Sequence, residues 1–285
     1  MVVRIWLLIL LSTANLFAAE PGKDISHCLE CHPSHYTDLG TCVACHRGFS
    51  GTARINIAHD GLIAARFSSF TIDDDPTTKR GEELLKNYAC RRCHTSGDKG
   101  NRLAANLDFS QLEKTPEELE EAIQFPVLFM PEFHFSQQQR VELINAILLG
   151  GRQVKIPEQE LPEVVHFEGE EVTREFQFEK YCGGCHRALT ARFGGLGSGL
   201  IGPNLSGIFS EFYVLNFGED KKRWSIENLE KWLKNPRKIR PFAQMPPVEL
   251  KKEEFESICN ELQHQEPVNN ALPEAAELTA PLSAQ

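Results

Sequence analysis

The chain has 285 residues, with 30 Lys and Arg against 40 Asp and Glu, so its formal net charge at pH 7 is −10. This acidic balance argues against nucleic acids and anionic membrane surfaces as partners, because both repel negative charge. It favours docking onto basic patches of other proteins, although plain solubility explains the charge equally well.

The first 18 residues predict a secretory signal peptide. Arg4 gives a positive start, an apolar run follows it, and the small residues Ala18 and Ala19 mark the cleavage region. The run is short for a membrane span, and an uncleaved N-terminal anchor is the alternative. We expect an exported protein, periplasmic in a bacterium, with no transmembrane helix in the mature chain.

Eight of the nine cysteines fall into four copies of one pentapeptide, Cys-x-x-Cys-His. The copies contain Cys28, Cys31 and His32; Cys42, Cys45 and His46; Cys90, Cys93 and His94; and Cys182, Cys185 and His186. At this spacing two thiols can reach the vinyl edge of one porphyrin, while the histidine binds the iron. The motifs therefore predict four covalent haem c groups with four proximal histidines. A zinc knuckle or a redox dithiol is the alternative for any single copy, because Cys-x-x-Cys serves both.

Block one, residues 19–70, holds two of the motifs and is predicted to be a small, loop-rich di-haem module. It has too few apolar side chains to fold alone, so the two haems should serve as its core. It contains no methionine, and its distal ligands should be histidines. His35 lies too near His32 to share its haem but can reach the neighbouring haem, whereas His59 can fold back onto the first. His27 is either a further ligand or a surface residue.

Residues 71–78 form an acidic, proline-broken linker, residues 153–171 form a second linker, and residues 266–285 are predicted to be a disordered tail. Block two, residues 79–152, and block three, residues 172–265, repeat one plan. In each, a helix leads into the haem motif, and a middle helix, a Met-Pro step and a last helix follow it. No segment of useful length has the period of a strand, so the predicted fold class is all-α.

Capping signals place several helix ends in these two blocks. Thr115-Pro116-Glu117-Glu118 predicts a capping box at the start of the middle helix of block two. Ser136 with Gln139 predicts the start of the last helix, and Gly150-Gly151 predicts its end near Leu149. In block three the middle helix should begin at Ser225, and the last should cover about residues 251–263.

Blocks two and three resemble class I cytochromes c in this order of elements. Block three matches best, because Gly202-Pro203-Asn204-Leu205 stands where that family carries Gly-Pro-Asn-Leu, a loop whose proline carbonyl fixes the proximal histidine. Block two has Ala104-Ala105-Asn106-Leu107 instead. The resemblance implies that Met130 and Met245, each followed by proline, are distal iron ligands. His134 is the alternative to Met130, and block one resembles the small bis-histidine modules of multihaem cytochromes.

Two other features have simpler interpretations. Cys259, on the last helix, is expected to be a buried free cysteine that acts as a small apolar side chain. The Arg91-Arg92 pair inside the third motif is interpreted as exposed charge, with a haem propionate or an acidic partner as the alternative.

An iron atom with a protein ligand on both faces of its porphyrin has no open position for a substrate, so the leading hypothesis is an electron carrier rather than an enzyme. Methionine ligation raises the potential relative to bis-histidine ligation, so electrons should move from block one toward blocks two and three. The expected donor is a quinol-oxidising membrane complex or a soluble protein, and the acceptor is a reductase or another cytochrome. The alternatives are an enzyme of the di-haem peroxidase type, whose distal site opens on reduction, and a structural or sensory module.

Overall fold

The computed structural model describes residues 26–155 and 175–263. Its contacts divide the chain into two units, Met1–Leu62 and Ile63–Gln285, which are described separately. The predicted signal peptide, the predicted tail and most of the second linker lie outside the described residues. No helix in the described ranges has both the length and the apolar character needed to cross a membrane.

The described part of the first unit, residues 26–62, is built from loops and short turns of helix. A 3₁₀ turn covers His27–Glu30, and two helices follow, α1 (Cys42–His46) and α2 (Ile55–Ala58). None of its described residues is fully buried, and large apolar side chains such as Tyr36, Phe49 and Ile55 are exposed. A segment this short cannot form an apolar core from its own side chains, so its fold must be stabilised by something other than their burial.

Block two is organised around one long, buried helix. Its elements are α3 (Pro76–Asn87), α4 (Leu107–Glu113), α5 (Pro116–Gln124) and α6 (Gln137–Gln153). Helices α3 and α6 approach closely at Gly81, where a Cβ atom would lie 1.9 Å from the carbonyl oxygen of Glu142. The Arg80 side chain donates to the buried Glu142 carboxylate at 2.6 Å. Glycine at position 81 therefore lets the two backbones touch.

The core of block two also takes in residues that precede it in the sequence. Ile63, Phe67 and Phe70 are buried in the same cluster as α6, and the Asn145 side chain binds the Phe70 amide and the Arg66 carbonyl. The prediction placed residues 63–70 in the di-haem module, but the contact boundary lies between residues 62 and 63. The difference arises because Phe67 and Phe70 pack against α6, which is distant in the sequence, and no local sequence pattern predicts such a contact.

The local capping signals are confirmed. Thr115 and Glu118 form a reciprocal capping box at α5, and Ser136 and Gln139 form one at α6. The predicted end of α6 is wrong, since the helix continues through Gly150 and Gly151 to Gln153. A Cβ atom on Gly151 would lie 2.4 Å from the Asp108 carbonyl oxygen. These glycines therefore permit close packing against α4 rather than ending the helix.

Block three has a second core. Its elements are α7 (Gln177–Tyr181), strands β1 (Ala188–Thr190) and β2 (Gly194–Leu196), and helices α8 (Ile226–Lys234), α9 (Pro236–Ile239) and α10 (Lys252–Leu262). Phe178, Ile208, Leu233 and Ile258 are among the side chains that form this core. The buried Glu261 carboxylate on α10 accepts hydrogen bonds from the Phe178 and Gln177 amides at 2.8 and 3.1 Å, and so joins α10 to the helix that leads into the haem motif.

The fold is mostly helical, as expected, with one departure. Strands β1 and β2 form an antiparallel hairpin directly after the fourth motif, and Ala188 and Leu196 on it are buried. The Thr190 hydroxyl donates to the Gly194 carbonyl oxygen across the turn at 3.0 Å. Strands of three residues are too short to show a period of two, which explains why the pattern did not predict them.

Candidate functional site

In the third motif, the chain turns sharply between helix α3 and the cysteines. Ala89 has a positive φ of 54°, and the 3₁₀ turn Cys90–Arg92 begins directly after it. The His94 amide then donates to the Cys90 carbonyl at 3.0 Å, which continues the turn. The two cysteines and the histidine therefore follow one another on a single compact turn, as attachment to one porphyrin requires.

His94 is held by a backbone carbonyl. Its Nδ1 atom lies 2.7 Å from the Ala105 carbonyl oxygen, which can only accept, so the ring donates there and leaves Nε2 for iron. Burial lowers the pKa of His94 while the Ala105 contact raises it, so the net shift is downward and the neutral ring that binds iron is favoured. The alanine carbonyl thus does in block two what the resemblance assigns to a proline.

His186 has the corresponding contact in block three. Its Nδ1 atom lies 2.8 Å from the Pro203 carbonyl oxygen, the contact that the resemblance to class I cytochromes c implies. A Cβ atom on Gly202 would lie 2.2 Å from the His186 ring. Only glycine fits there, because any side chain would push the ring out of position.

The two methionines have different surroundings. The Met245 sulfur is 3.1 Å from the indole nitrogen of Trp232, and Met245 packs against the core of block three. Met130 is half-buried, and its carbonyl accepts from Arg187 at 3.4 Å. His134, the alternative ligand in block two, is 78% exposed and lies 3.3 Å from Glu132. The His134 side chain is therefore largely exposed to solvent, and ligation by Met130 and Met245 stays a prediction.

The described residues of the first unit bring the motif histidines of block one close to the two predicted distal histidines. The His32 and His59 ring centroids are 6.1 Å apart, and those of His35 and His46 are 5.8 Å apart with nearly parallel planes. Two imidazoles that bind one metal ion from opposite sides, at about 2 Å each, have centroids roughly 6 Å apart. These pairs therefore fit two bis-histidine haems. His27 instead lies 2.5 Å from Glu30, a neighbour on its own turn.

Three thiols of the third and fourth motifs lie in surroundings unlike those of a redox dithiol. Burial raises the pKa of Cys90 to about 11 and that of Cys182 to about 12, and it also raises the pKa of Cys93. Reactive and metal-binding cysteines need the thiolate, which a raised pKa disfavours near neutral pH. The surroundings suit sulfur atoms held as thioethers.

The ligand sets suit a porphyrin better than a bare ion. Among the described residues, no three His, Cys, Asp or Glu side chains come together to hold a metal ion. Haem iron needs at most two protein ligands, because the porphyrin supplies the other four. Large apolar side chains on the loops that carry the candidate ligands are exposed: Val127 and Leu128 before Met130, Ile201 before Pro203, and Phe242 before Met245. A haem bound there would cover such side chains, so the residues fit haem c.

Asn204, which follows the carbonyl that holds His186, joins blocks two and three. Its own carbonyl accepts from Arg92 of the third motif at 3.0 Å and from the Tyr213 hydroxyl at 3.2 Å. Its side-chain amide donates to the Phe129 carbonyl, next to Met130, at 2.8 Å. The third and fourth candidate haem sites therefore share one loop.

The interpretation of Arg91 and Arg92 as exposed charge is wrong. Both are half-buried: Arg91 donates to the Ser96 carbonyl at 2.9 Å, and Arg92 lies over the Tyr213 ring as well as bonding Asn204.

The sequence interpretation also missed Trp232 and Arg187. No local signal marks the partner of either residue, although a tryptophan on a helix before a Met-Pro step could have been singled out. Cys259 is buried, as predicted.

Residues 76–145 match the family described as "Cytochrome C oxidase, cbb3-type, subunit III". Searches of curated proteins and of solved structures found no match to the chain. The match gives no support to the peroxidase-type alternative. It covers α3, the third motif, α4, α5 and the first half of α6, and this part of the chain is therefore similar to a c-type cytochrome domain, which implies covalent haem c and electron transfer.

Proposed function

We propose that the protein is a periplasmic tetrahaem c-type cytochrome that carries electrons between a respiratory donor and a downstream acceptor. The observation that carries the proposal is the shared loop at Asn204, which binds Arg92 of the third motif and Phe129 beside Met130 while Pro203 holds His186. Passing an electron from one haem to another needs both at fixed, neighbouring positions, and a loop shared by the two candidate sites supports the proposal.

The chain's own residues have separable roles in this function. The eight motif cysteines hold the haems, and His32, His46, His94 and His186 bind the iron atoms from the proximal side. His59 and His35 complete the two sites of block one, while Met130 and Met245 complete those of blocks two and three. When bound, haem c supplies one-electron chemistry at each site.

The potentials set the proposed direction. Thioether sulfur favours ferrous iron more than a second imidazole does, so block one carries the low-potential pair and blocks two and three carry the high-potential pair. Electrons enter through block one, from a quinol-oxidising membrane complex or a soluble donor, and leave from block two or three to a redox protein. The acidic surface suits partners with basic docking patches.

The haem count tests this function directly. A pyridine haemochrome assay together with the intact mass of the purified protein should give four covalent haems per chain. Optical spectra should show six-coordinate haems in both oxidation states, and peroxide should not be turned over. A count of two or three, or a five-coordinate haem that appears on reduction together with peroxide turnover, would contradict the proposal.

A further inference from the structure

The loop that carries Met130 is tied to block three through its backbone. The Arg187 guanidinium donates to the carbonyl oxygens of Leu128 at 3.0 Å and of Met130 at 3.4 Å. The Asn204 side-chain amide donates to the Phe129 carbonyl oxygen, which lies between them in the sequence, at 2.8 Å. Two side chains of block three therefore hold three consecutive residues of block two, the last of which is the predicted iron ligand.

Arginine is well suited to this contact. Its guanidinium is a planar, rigid group with several N–H donors, and it keeps its positive charge at every pH of interest. The two terminal nitrogens of Arg187 bind the carbonyls of Leu128 and Met130 together, and so fix the direction of the chain between them. Arg187 is half-buried and directly follows His186, the predicted proximal ligand of block three. The support of one iron site thus begins beside the ligand of the other.

The backbone of this loop needs support at Leu128. Its φ is +53°, in the left-handed region that a branched side chain seldom adopts. Such a conformation persists only where the surroundings fix it. The Leu128 side chain is 79% exposed and contributes little packing, so the bond from Arg187 to its carbonyl holds the backbone there instead.

The hairpin of block three supports the same loop. The Phe129 ring lies directly against Gly195 on β2, where a Cβ atom would collide with it. Phe129 is half-buried, with its ring on the hairpin and its carbonyl bonded to Asn204. The hairpin, which the sequence pattern did not predict, therefore forms part of the surface on which the Met130 loop rests.

The Met245 loop is attached to its own block. The Val248 amide donates to the Leu233 carbonyl on α8 at 2.9 Å, and Met245 packs against the core of block three. The two predicted methionine sites are therefore supported differently. Block three supports its own ligand loop and also that of block two.

We propose that Arg187 and Asn204 are positioning residues that hold the Met130 loop for iron ligation, so that block two completes its iron site only in contact with block three. The proposal rests on the electron-transfer function above and deepens it, because it makes the closed state of one haem depend on the neighbouring block. A methionine that leaves iron opens a position for an external ligand, so this contact also keeps the haem of block two an electron carrier.

The test compares the haem-loaded, full-length protein with its Arg187→Ala variant. The variant should lose about half of the weak red absorption band of ferric methionine-ligated haem, because one of the two such haems loses its sulfur ligand. After reduction, carbon monoxide should bind one haem of the variant and none of the parent. A pyridine haemochrome assay should still give four haems per chain.

A Met245→Leu background assigns the loss to block two. The red band that remains in this background belongs to the Met130 site, and adding Arg187→Ala should remove it. If the band survives in the double variant, or if Arg187→Ala opens no haem to carbon monoxide, the positioning role of Arg187 is overturned.

Arg192→Ala is the matched control. It removes the same charge from the hairpin of block three, but the Arg192 side chain is exposed and its guanidinium lies over the Phe193 ring, 5.1 Å from the centroid. It should leave the band and the carbon monoxide binding unchanged. An equal loss in Arg192→Ala would show a general effect of charge and would overturn the proposal.

Asn204→Asp is the second, independent variant if Arg187→Ala fails to load haem. It keeps an oxygen for the amide and hydroxyl of Ser206 but removes the N–H group that binds the Phe129 carbonyl. It should lower the same part of the red band. An intact band in Asn204→Asp would remove Asn204 from the proposal.

Met130→Leu separates this proposal from the function beneath it. If Met130→Leu removes part of the band while Arg187→Ala and Asn204→Asp leave it intact, the positioning role is overturned and the ligation stands. If Met130→Leu changes neither the band nor the binding of carbon monoxide, the ligand assignment in the proposed function fails as well.

Discussion

The Arg92 guanidinium donates a hydrogen bond of 3.0 Å to the Asn204 carbonyl oxygen and thereby ties the third haem motif to the loop that orients His186. Arg92 is half-buried between two blocks with separate cores. The contact therefore links the third motif directly to the loop that carries Pro203 and Asn204. Asn204 reaches back to block two a second time, through its hydrogen bond to Phe129.

Replacing Arg92 by Gln should weaken this connection between blocks two and three. A hydrogen bond from a charged donor contributes about 1.5–3 kcal/mol, and we expect a loss of that size in the free energy of unfolding, together with slower electron exchange between the two haems. Denaturant unfolding and flash-induced absorbance kinetics are the two measurements. Lys99→Gln, an exposed change close to the same motif, should alter neither. Equal effects from the two variants would show that the contact between Arg92 and Asn204 has no specific effect on stability or on electron exchange.

The histidine pairs of block one make a prediction that distinguishes its two haems. His59→Ala and His35→Ala should each convert one low-spin haem to a five-coordinate, high-spin haem, because each removes one axial ligand. Electron paramagnetic resonance would count the high-spin haems in each variant. His27→Ala is the control, because His27 lies against Glu30, and it should convert none.

The pairing itself can be read from a chain that lacks the second motif. In a Cys42→Ala, Cys45→Ala background, His59→Ala should still produce a high-spin haem, because His59 lies opposite His32. His35→Ala should produce none there, because its partner His46 then carries no haem. The reverse result would exchange the two assignments.

Phe67→Ala should strongly destabilise the second unit. Phe67 is 0% exposed in the core of block two, and truncating such a side chain costs about 3–5 kcal/mol. Chemical unfolding followed by circular dichroism measures the change. Leu112→Ala, at a site 58% exposed, should stay within about 0.5 kcal/mol of the parent. A small effect of Phe67→Ala would mean that residues 63–70 belong with block one after all.

The potentials of the four haems should form a low pair and a high pair. A redox titration of the full chain beside a fragment that begins at Ile63 should show that the fragment lacks the low pair. The fragment must begin there rather than near Lys79, because a later start removes Phe67 and Phe70 from the core. If the fragment retains the lowest potentials, the proposed direction of electron flow is wrong.

Cys259 should be the one titratable thiol of the haem-loaded protein. In denaturant, a thiol reagent should detect one group per chain, because thioether bonds occupy the eight motif cysteines. In the native protein it should react slowly at pH 7.5 and faster as the pH approaches 11. Burial raises the pKa of Cys259 to about 11, so the reactive thiolate forms only at high pH. Cys259→Ser should abolish the signal, and any thiol that remains would show an unfilled motif.

What the sequence determined by itself is chemistry confined to a few neighbouring residues. Cys-x-x-Cys-His specifies haem attachment within one turn of chain, and the capping boxes at Thr115 and Ser136 act over three residues. Such signals can be interpreted without knowledge of the packing, because all the residues involved lie within one turn of chain. The resemblance to class I cytochromes c added the contact of His186 with Pro203, which spans a single loop.

Only the tertiary structure decided the contacts between residues far apart in the chain. Phe67 joins the core of block two because α6 offers Asn145 and an apolar face to the preceding segment. Ala105 takes the role that the resemblance gives to a proline, because every residue has a backbone carbonyl and the path of the loop, not the side chain, presents it to His94. Arg92 meets Asn204 across 112 positions of sequence, where geometry alone selects the acceptor.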